Sequence, residues 1–204
     1  MNINDKVVAE LVQTCISVSL NQYKDVYNKQ IHPILMAQPG MIAAMAGVIT
    51  SVSGQDSTQK EDGATVLSLV IWENVHSHID FVTGPAAGPF FDAALPLMRE
   101  TPSVEHYEVD GLQPAAFNSI YAQILKASSA SDKEFLASIF KRHATIEGSE
   151  MALFSDCTED SSKKALILFG NSEQFEAAGD IMDRGTRIER YNIEWHSRGT
   201  KSYH

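Results

Sequence analysis

The side chains best suited to chemistry in this 204-residue chain are histidines in its first half. Histidine changes charge near neutral pH and is the commonest general acid or base in catalysis. His76 and His78 are two residues apart, which on a helix turns their side chains about 200° away from each other. We therefore expect at most one of them to face a given cavity, and we do not expect the two to share one metal ion. The histidines of this half are His32, His76, His78 and His106.

His106 lies in a predicted strand, Val104 to Val109, where alternation places it on the face opposite Glu105 and Tyr107. The second half repeats this pattern at Ile188 to Glu194, as a Val or Ile followed by Glu, one further residue and Tyr. The tyrosine recurs there as Tyr191, whereas the place of His106 is taken by Arg190. The repeat predicts an architectural tyrosine and a histidine specific to the first half.

Other common chemistries have no motif in this chain. Cys15 and Cys157 are its only cysteines, neither lies in a Cys-x-x-Cys pair, and we expect both to be reduced. No HExxH, EF-hand or P-loop string occurs, so zinc, calcium and P-loop nucleotide binding are not supported.

Composition excludes further function classes. With 16 basic and 26 acidic residues the formal net charge is −10, which opposes binding to nucleic acid or to an anionic membrane. No apolar run approaches the roughly 20 residues that span a bilayer. The first residues carry no basic cluster followed by an apolar segment, so we expect a cytoplasmic protein.

The elements that would position these residues follow the same order twice. Residues 7–20 predict a strand, 21–38 a helix, 41–51 and 64–72 two strands, 74–82 and 90–99 helices, and 104–109 a strand. The second half predicts a strand at 115–125, a helix from 131, strands at 151–157 and 164–169, a helix at 173–183 and a last strand at 188–194. This is the βαββαβ order of a ferredoxin-like unit, and it predicts a tandem duplication. We expect repeats at 1–112 and 113–204, with the joint near 111–114.

A four-stranded sheet with helices on one face leaves its other face bare. Burying that face against a second copy removes apolar area from water, at about 25 cal/mol per Å². Both faces of the first predicted strand are apolar, with Val8 and Val12 on one side and Val7 and Leu11 on the other. The sequence therefore predicts an α+β fold in which two tandem ferredoxin-like repeats pack sheet to sheet as an intrachain barrel. A cavity is expected between sheet and helices.

Several of these residues resemble a known superfamily. The string Ile71 to His78 (IWENVHSH), followed by Phe81, Pro85, Phe90 and Leu97 and closed by Val104 to Tyr107, is similar to the dimeric α+β barrel superfamily. More narrowly it resembles the tandem antibiotic-biosynthesis-monooxygenase (ABM) type of protein that is common in fungi. The likeness covers nearly the whole chain in element order, whereas its residue-level match is confined to short segments.

The resemblance implies an enzyme of secondary metabolism, a biosynthetic monooxygenase that acts on a hydrophobic polyketide-like or terpenoid molecule without metal, flavin or haem. His78 resembles the pocket histidine of relatives and Trp72 a pocket tryptophan, so the expected catalytic residues are His78, His106 and Trp72. Alternatives are a polyketide cyclase or isomerase with the same histidine base, a non-catalytic carrier of apolar ligands, and haem ligation by His78 or His106. The expected substrate-binding residues are Tyr27, His32, His76, Phe81, Phe90 and Tyr107.

The halves differ in what they offer for chemistry. After its third strand the second half has Phe169-Gly170-Asn171-Ser172 in place of a Trp and His segment. We expect one working cavity in the first half, with the Gly84 to Phe91 loop as its rim or lid or as a simple helix connection, and a second half that is mainly structural. The acidic pair Glu159-Asp160 and the tail 198–204 are predicted to be solvated surface. Whether the chain pairs again as a homodimer is left open.

Overall fold

The computed structural model describes residues 6–52, 55–56, 63–109, 117–144, 152–170 and 188–201. The strands are β1 (Val7–Cys15), β2 (Met41–Val52), β3 (Gln55–Asp56), β4 (Thr65–Trp72), β5 (Ser103–Val109), β6 (Tyr121–Ala127), β7 (Ala152–Asp156), β8 (Lys164–Gly170) and β9 (Glu189–Thr200). The helices are α1 (Leu20–Val26), α2 (His32–Met36), α3 (Val75–Thr83), α4 (Ala87–Ala94) and α5 (Ala130–Ala144). A π-helical turn, Tyr27–Ile31, joins α1 to α2, and a 3₁₀ turn, Leu95–Leu97, follows α4.

The strands form one antiparallel sheet in the order β5-β1-β4-β2-β9-β6-β8-β7, with the short β3 paired to β2. The four long strands of the first half and the four of the second follow the same spatial order: fourth, first, third, second. The halves join edge to edge through β2 and β9, so the sheet is continuous.

The two ends of this sheet also meet. Cys157, just after β7, forms an isolated antiparallel bridge to Tyr107 of β5. The backbone N–H of Thr158 donates to the carbonyl of His106 at 2.8 Å. These contacts nearly close the sheet into a barrel.

Alternation along the strands separates two cores. Leu11 is 2% exposed and faces the barrel interior, where Met45, Leu69 and Ile193 from both halves pack with it. Val8 faces the other way, into a layer formed with the first-half helices. The apolar pattern on both faces of β1 is thereby explained, because each face contributes to a different core.

Two of the first-half helices begin at capping residues. The Asn74 side chain accepts a hydrogen bond from the Ser77 N–H at 3.0 Å and caps α3, and Ser19 caps α1 in the same way. Pro33 lacks an N–H and its ring crowds the preceding turn, which accounts for the π-helical turn directly before α2. The helix ends before Gly40, whose φ of +69° favours glycine.

Several boundaries differ from the predictions. The first strand of the second half begins at Tyr121 rather than at 115, and the last strand continues to Thr200 because β2 offers it a partner edge. Arg198 and Thr200 at the end of this strand are exposed, so this part of the tail is solvated surface, as predicted. The predicted joint at 111–114 and the predicted helix at 173–183 lie outside the described residues, as do most of residues 53–63, between the second and third predicted strands. Within the described part of the chain, no helix has the length and apolarity to cross a membrane.

Candidate functional site

A cavity of about 280 Å³ lies between the first-half helices and the outer face of β1 and β4, on the side where it was predicted. Its walls are mostly apolar, and Phe91, Leu95 and Val104 at its rim are 39%, 55% and 41% exposed. It is therefore accessible to a ligand from solvent. The lining residues are Glu10, Val12, Tyr23, Tyr27, Ile31, Leu35, Ser68, Val70, His78, Phe81, Val82, Phe90, Phe91, Ala94, Leu95, Met98, Pro102 and Val104.

Two groups that can move protons meet in the cavity wall. Glu10 projects from β1 and His78 from the first turns of α3, and the His78 Nε2 lies 3.4 Å from the Glu10 Oε1. Both side chains are largely buried, with 11% and 15% of their areas exposed. A carboxylate and an imidazole in an apolar cavity are a suitable pair for taking a proton from a bound ligand.

Glu10 and His78 each contact a polar side chain that lies outside the cavity lining. The Trp72 indole Nε1 donates to the Glu10 Oε2 at 2.7 Å. The His78 Nδ1 lies 3.1 Å from the His106 Nε2, and the His106 Nδ1 in turn contacts the Glu159 carboxylate. A continuous row of polar groups thus leads from the cavity wall through β5 to the second half of the chain.

Burial and charge set the protonation of this row. Burial lowers the pKa of His78 by disfavouring its charged form, and the nearby Glu10 carboxylate opposes that effect. At Glu159 partial burial acts to raise the pKa, yet hydrogen bonds from the His106 backbone and ring hold it at about 2. At neutral pH the row therefore has an ionised Glu159 at one end and a neutral His78 in the cavity.

Hydroxyl groups lie elsewhere in the lining. Burial raises the pKa of Tyr23 to about 12 and that of Tyr27 further, so both phenols stay protonated. The Ser68 hydroxyl beside them acts to lower both pKa values. Protonated phenols are hydrogen-bond donors and can bind a carbonyl or enolate oxygen.

The same cluster has the donor set of a metal site. Glu10, His78 and His106 each offer a ligand atom, and these atoms lie within 4.8 Å of one another. Two histidines and one carboxylate suit a first-row divalent metal. In the structure these atoms instead contact each other, Trp72 and Glu159.

The predicted site residues fall into three groups. Tyr27, His78, Phe81 and Phe90 line the cavity. His106 and Trp72 lie behind the lining, where His106 contacts His78 and the fully buried Trp72 stacks on Phe81 at 5.5 Å between ring centroids. Trp72 therefore reaches the cavity through Glu10 rather than by its own ring.

The structure does not bring the remaining three to the cavity lining. His76 is exposed on α3, as its two-residue offset from His78 requires. His32 is half-buried at the start of α2, next to Tyr27 with 6.1 Å between ring centroids. Tyr107 faces the barrel interior and donates to Glu105 at 3.0 Å, because it is one residue from His106 in a strand.

Sequence reasoning missed Glu10, Glu159, Tyr23 and Ser68. Glu10 had a signal, since it is the one charged residue among the strand residues 7–15 and shares a face with Val8 and Val12. Glu159 had none, because its role depends on β7 and β5 meeting at the barrel seam. Glu159 lies at the surface, as predicted, with 48% of its side chain exposed, but the prediction did not include its contact with His106.

No family model and no curated protein matches this chain. Three solved structures share its fold. A candidate monooxygenase from Fusobacterium nucleatum has a TM-score of 0.70 at 10% identity, covering 97% of this chain and 95% of the other. A candidate monooxygenase from Lactobacillus acidophilus has a TM-score of 0.64 at 12% identity, with 96% of each chain covered. An anthrone oxidase-like protein has a TM-score of 0.61 at 8% identity, with 98% and 95% covered.

These likenesses run over the whole length of each chain, and at such low identity they bear on the fold alone. Together with the strand order they define an α+β protein built on a nearly closed antiparallel barrel. Fold does not fix function, so the chemistry has to be argued from the cavity.

Proposed function

We propose that this protein is a cofactor-independent monooxygenase that oxidises a small hydrophobic molecule, of polyketide-like or terpenoid type, in the first-half cavity. The observation that carries the proposal is the His78 and Glu10 pair, 3.4 Å apart, set in an otherwise apolar wall. The candidate monooxygenases and the anthrone oxidase-like protein among the structural neighbours support the same class. A tandem pair of ferredoxin-like repeats, 1–112 and 113–204, and a role in secondary metabolism belong to this proposal.

The cavity volume and the charge of Glu10 limit the kinds of substrate that can bind. The cavity volume of about 280 Å³ lies just below the usual range of ligand pockets, which is about 300 to 1,000 Å³. The Glu10 carboxylate disfavours a substrate carboxylate beside it, since two like charges repel strongly in an apolar site. A compact neutral molecule with an acidic C–H or O–H group fits best.

The reaction balances without an external reductant. His78 removes a proton from a CH₂ group that is activated by a neighbouring carbonyl or phenol, and the resulting carbanion gives one electron to dioxygen. The two radicals combine to a peroxide, and loss of water leaves a carbonyl, so that CH₂ plus O₂ becomes C=O plus H₂O. Both the electrons and the hydrogens come from the substrate, and one oxygen atom enters the product.

The cavity supplies what these steps need. Glu10 stabilises the imidazolium that forms on His78, and Trp72 holds Glu10 in place with its indole N–H. The apolar walls accept dioxygen and keep water away from the carbanion. Tyr23 and Tyr27 are placed to donate to the enolate oxygen.

A cyclase or isomerase is the second candidate. Proton removal by His78 with phenol donors in the same cavity is sufficient for an intramolecular carbon–carbon bond or a double-bond shift. This candidate needs no dioxygen, and its product has the substrate mass or that mass less water.

Mass spectrometry of products separates the two. Protein stripped of metal is incubated with anthrone-type and terpenoid compounds, in air and under nitrogen. We expect a product that gains one oxygen and loses two hydrogens, formed only in air. A product of unchanged mass, or lighter by water, formed equally under nitrogen, would replace oxygenase by cyclase or isomerase.

Variants test the base in the same assay. His78→Ala should reduce turnover by about 100-fold or more, the range that general bases contribute. His76→Ala is the matched control, because it removes an exposed histidine two residues away. Ligand binding without turnover in every protein, wild type included, would indicate a carrier instead.

A further inference from the structure

We propose that Glu159, from the second half of the chain, fixes the tautomers of His106 and His78 and so presents the unprotonated Nε2 of His78 to the cavity. Glu159 is thereby a positioning residue that acts through two histidines. The inference rests on the proposed function only in taking His78 as the base, since the tautomers themselves can be observed without turnover.

The first step is the contact between Glu159 and His106. The carboxylate receives the His106 backbone N–H on Oε2 at 3.0 Å, and its Oε1 contacts the ring Nδ1. The Cys157 thiol also donates to Oε2, at 3.3 Å. Oε2 already accepts two hydrogen bonds, and a carboxylate oxygen can only accept, so the ring Nδ1 is the donor to Oε1. In its neutral form the His106 ring therefore carries its proton on Nδ1.

In the second step, the tautomer of His106 determines the tautomer of His78. With Nδ1 protonated, the His106 Nε2 has a free lone pair and acts as an acceptor. The atom opposite it, 3.1 Å away, is the His78 Nδ1, which must then carry the His78 proton. The His78 Nε2 is left unprotonated.

The third step concerns the cavity. The His78 Nε2 and the Glu10 Oε1 lie 3.4 Å apart, and both are acceptors in this state. Two neighbouring acceptors favour a bound group that donates a proton, which is what a base needs from its substrate. Once Nε2 is protonated, the Nδ1 proton can move to His106 and onward to Glu159, whose side chain is 48% exposed to solvent.

Glu159→Gln tests this chain of hydrogen bonds. The backbone N–H of His106 can only donate a hydrogen bond, so the side-chain carbonyl of the glutamine must accept it. The NH₂ group of the glutamine must then face the ring Nδ1. This reverses the His106 tautomer, and the reversal passes to His78 and places a proton on its Nε2. In a serine protease triad the corresponding loss of the correct tautomer costs about 10⁴-fold in kcat.

The measurement is ¹⁵N NMR of histidine-labelled protein without substrate. In the wild type we expect His78 and His106 to be protonated at Nδ1, and in Glu159→Gln at Nε2. Asp160→Asn is the matched control, because it removes the same charge from the neighbouring residue. The Asp160 side chain contacts Ser162, so this variant should leave both tautomers unchanged. Wild-type His78 protonated at Nε2, or tautomers that do not change in Glu159→Gln, would overturn the inference.

Turnover is read separately. We expect Glu159→Gln to lose about 100-fold or more in kcat/KM with a native fold, and Asp160→Asn to lose little. If the tautomers reverse while no variant turns over any substrate, the inference about Glu159 stands and the proposed function fails. If Glu159→Gln does not fold, the wild-type spectrum alone decides the tautomers.

Discussion

The closing strands of the two halves, β5 and β9, share one face and differ on the other. On the shared face the Tyr107 hydroxyl donates to Glu105 at 3.0 Å and the Tyr191 hydroxyl donates to Glu189 at 2.7 Å. In both strands the donor and acceptor are two residues apart, as alternation requires. The sequence repeat therefore corresponds to a repeated side-chain contact.

The opposite face carries His106 in β5 and Arg190 in β9. His106 joins the row that ends in the cavity, whereas the cavity lining includes no residue of β9. One face of the closing strand thus serves the fold in both halves, whereas the opposite face carries a residue of the candidate site in the first half.

The shared pairs also differ in their surroundings. The Glu105 side chain is 12% exposed and contacts Lys126 and Lys163, and these hydrogen bonds and charges lower its pKa against the effect of burial. Glu189 lies on an exposed position of β9. The same motif is thus buried and paired with lysines in the first half and exposed in the second.

The largest effect is expected when β5 is made like β9. His106→Arg removes the ring nitrogen that accepts the hydrogen bond from the His78 Nδ1. It also puts a permanent cation beside Glu159 and His78, and this cation lowers the pKa of His78 further. Turnover should drop about 100-fold or more while the fold is retained, because arginine can pair with Glu159. Steady-state kinetics and circular dichroism check both parts, with Arg190→His as the reciprocal variant, which should keep most activity. Normal turnover in His106→Arg would remove His106 from the site.

A divalent metal should also affect only the first-half site. Among the described residues, Glu10, His78 and His106 are the group whose ligand atoms come together, and zinc bound there would occupy the lone pair of the base. We expect added Zn²⁺ to inhibit most of the turnover and a chelator to restore it. Activity that rises with zinc would contradict the metal-free mechanism.

The two glutamates should differ in stability. Glu105→Gln leaves Lys126 partly buried without its counter-charge and should lower the free energy of unfolding by about 2 to 3 kcal/mol, somewhat less than the loss of a fully buried pair. Glu189→Gln removes one charge-assisted hydrogen bond near the surface and should cost about 1 kcal/mol or less. Urea unfolding of both variants measures the difference, and equal losses would show that the two pairs are equivalent.

The smallest effect is on acid stability. Burial lowers the pKa of His78 and His32, and burial with the nearby Lys24 lowers that of His196 to about 4. Because the unfolded chain binds these protons more readily, the stability is fully present above about pH 6.5 and is lost as the pH falls toward 4. His196→Phe should reduce this loss, whereas His76→Gln at an exposed position should not. Thermal unfolding between pH 7 and pH 4 provides the comparison.

Much of the fold could be predicted because its signals are local. Apolar residues on both faces of the first strand, the helical pattern of residues 74–82 and the break at Gly40 predicted the first-half elements, although the first strand ends at Cys15 rather than at residue 20. The strand ends in the second half were less predictable, since β9 extends to Thr200 only because β2 is there to pair with it. Pairing of this kind is a tertiary event that leaves no local pattern.

The features of the candidate site likewise fall into those that the sequence predicts and those that it does not. By itself the sequence determined that His78 faces away from His76, that His106 faces away from Tyr107, and that the sheet is covered on both sides. These follow from the periods of the helix and the strand. Only the tertiary structure decided that His78 meets Glu10 in a cavity and that Glu159 meets His106 across the barrel seam. Those contacts join residues 68 and 53 positions apart, and they form because β1 lies beside β4, which leads into α3, and because β5 and β7 close the barrel.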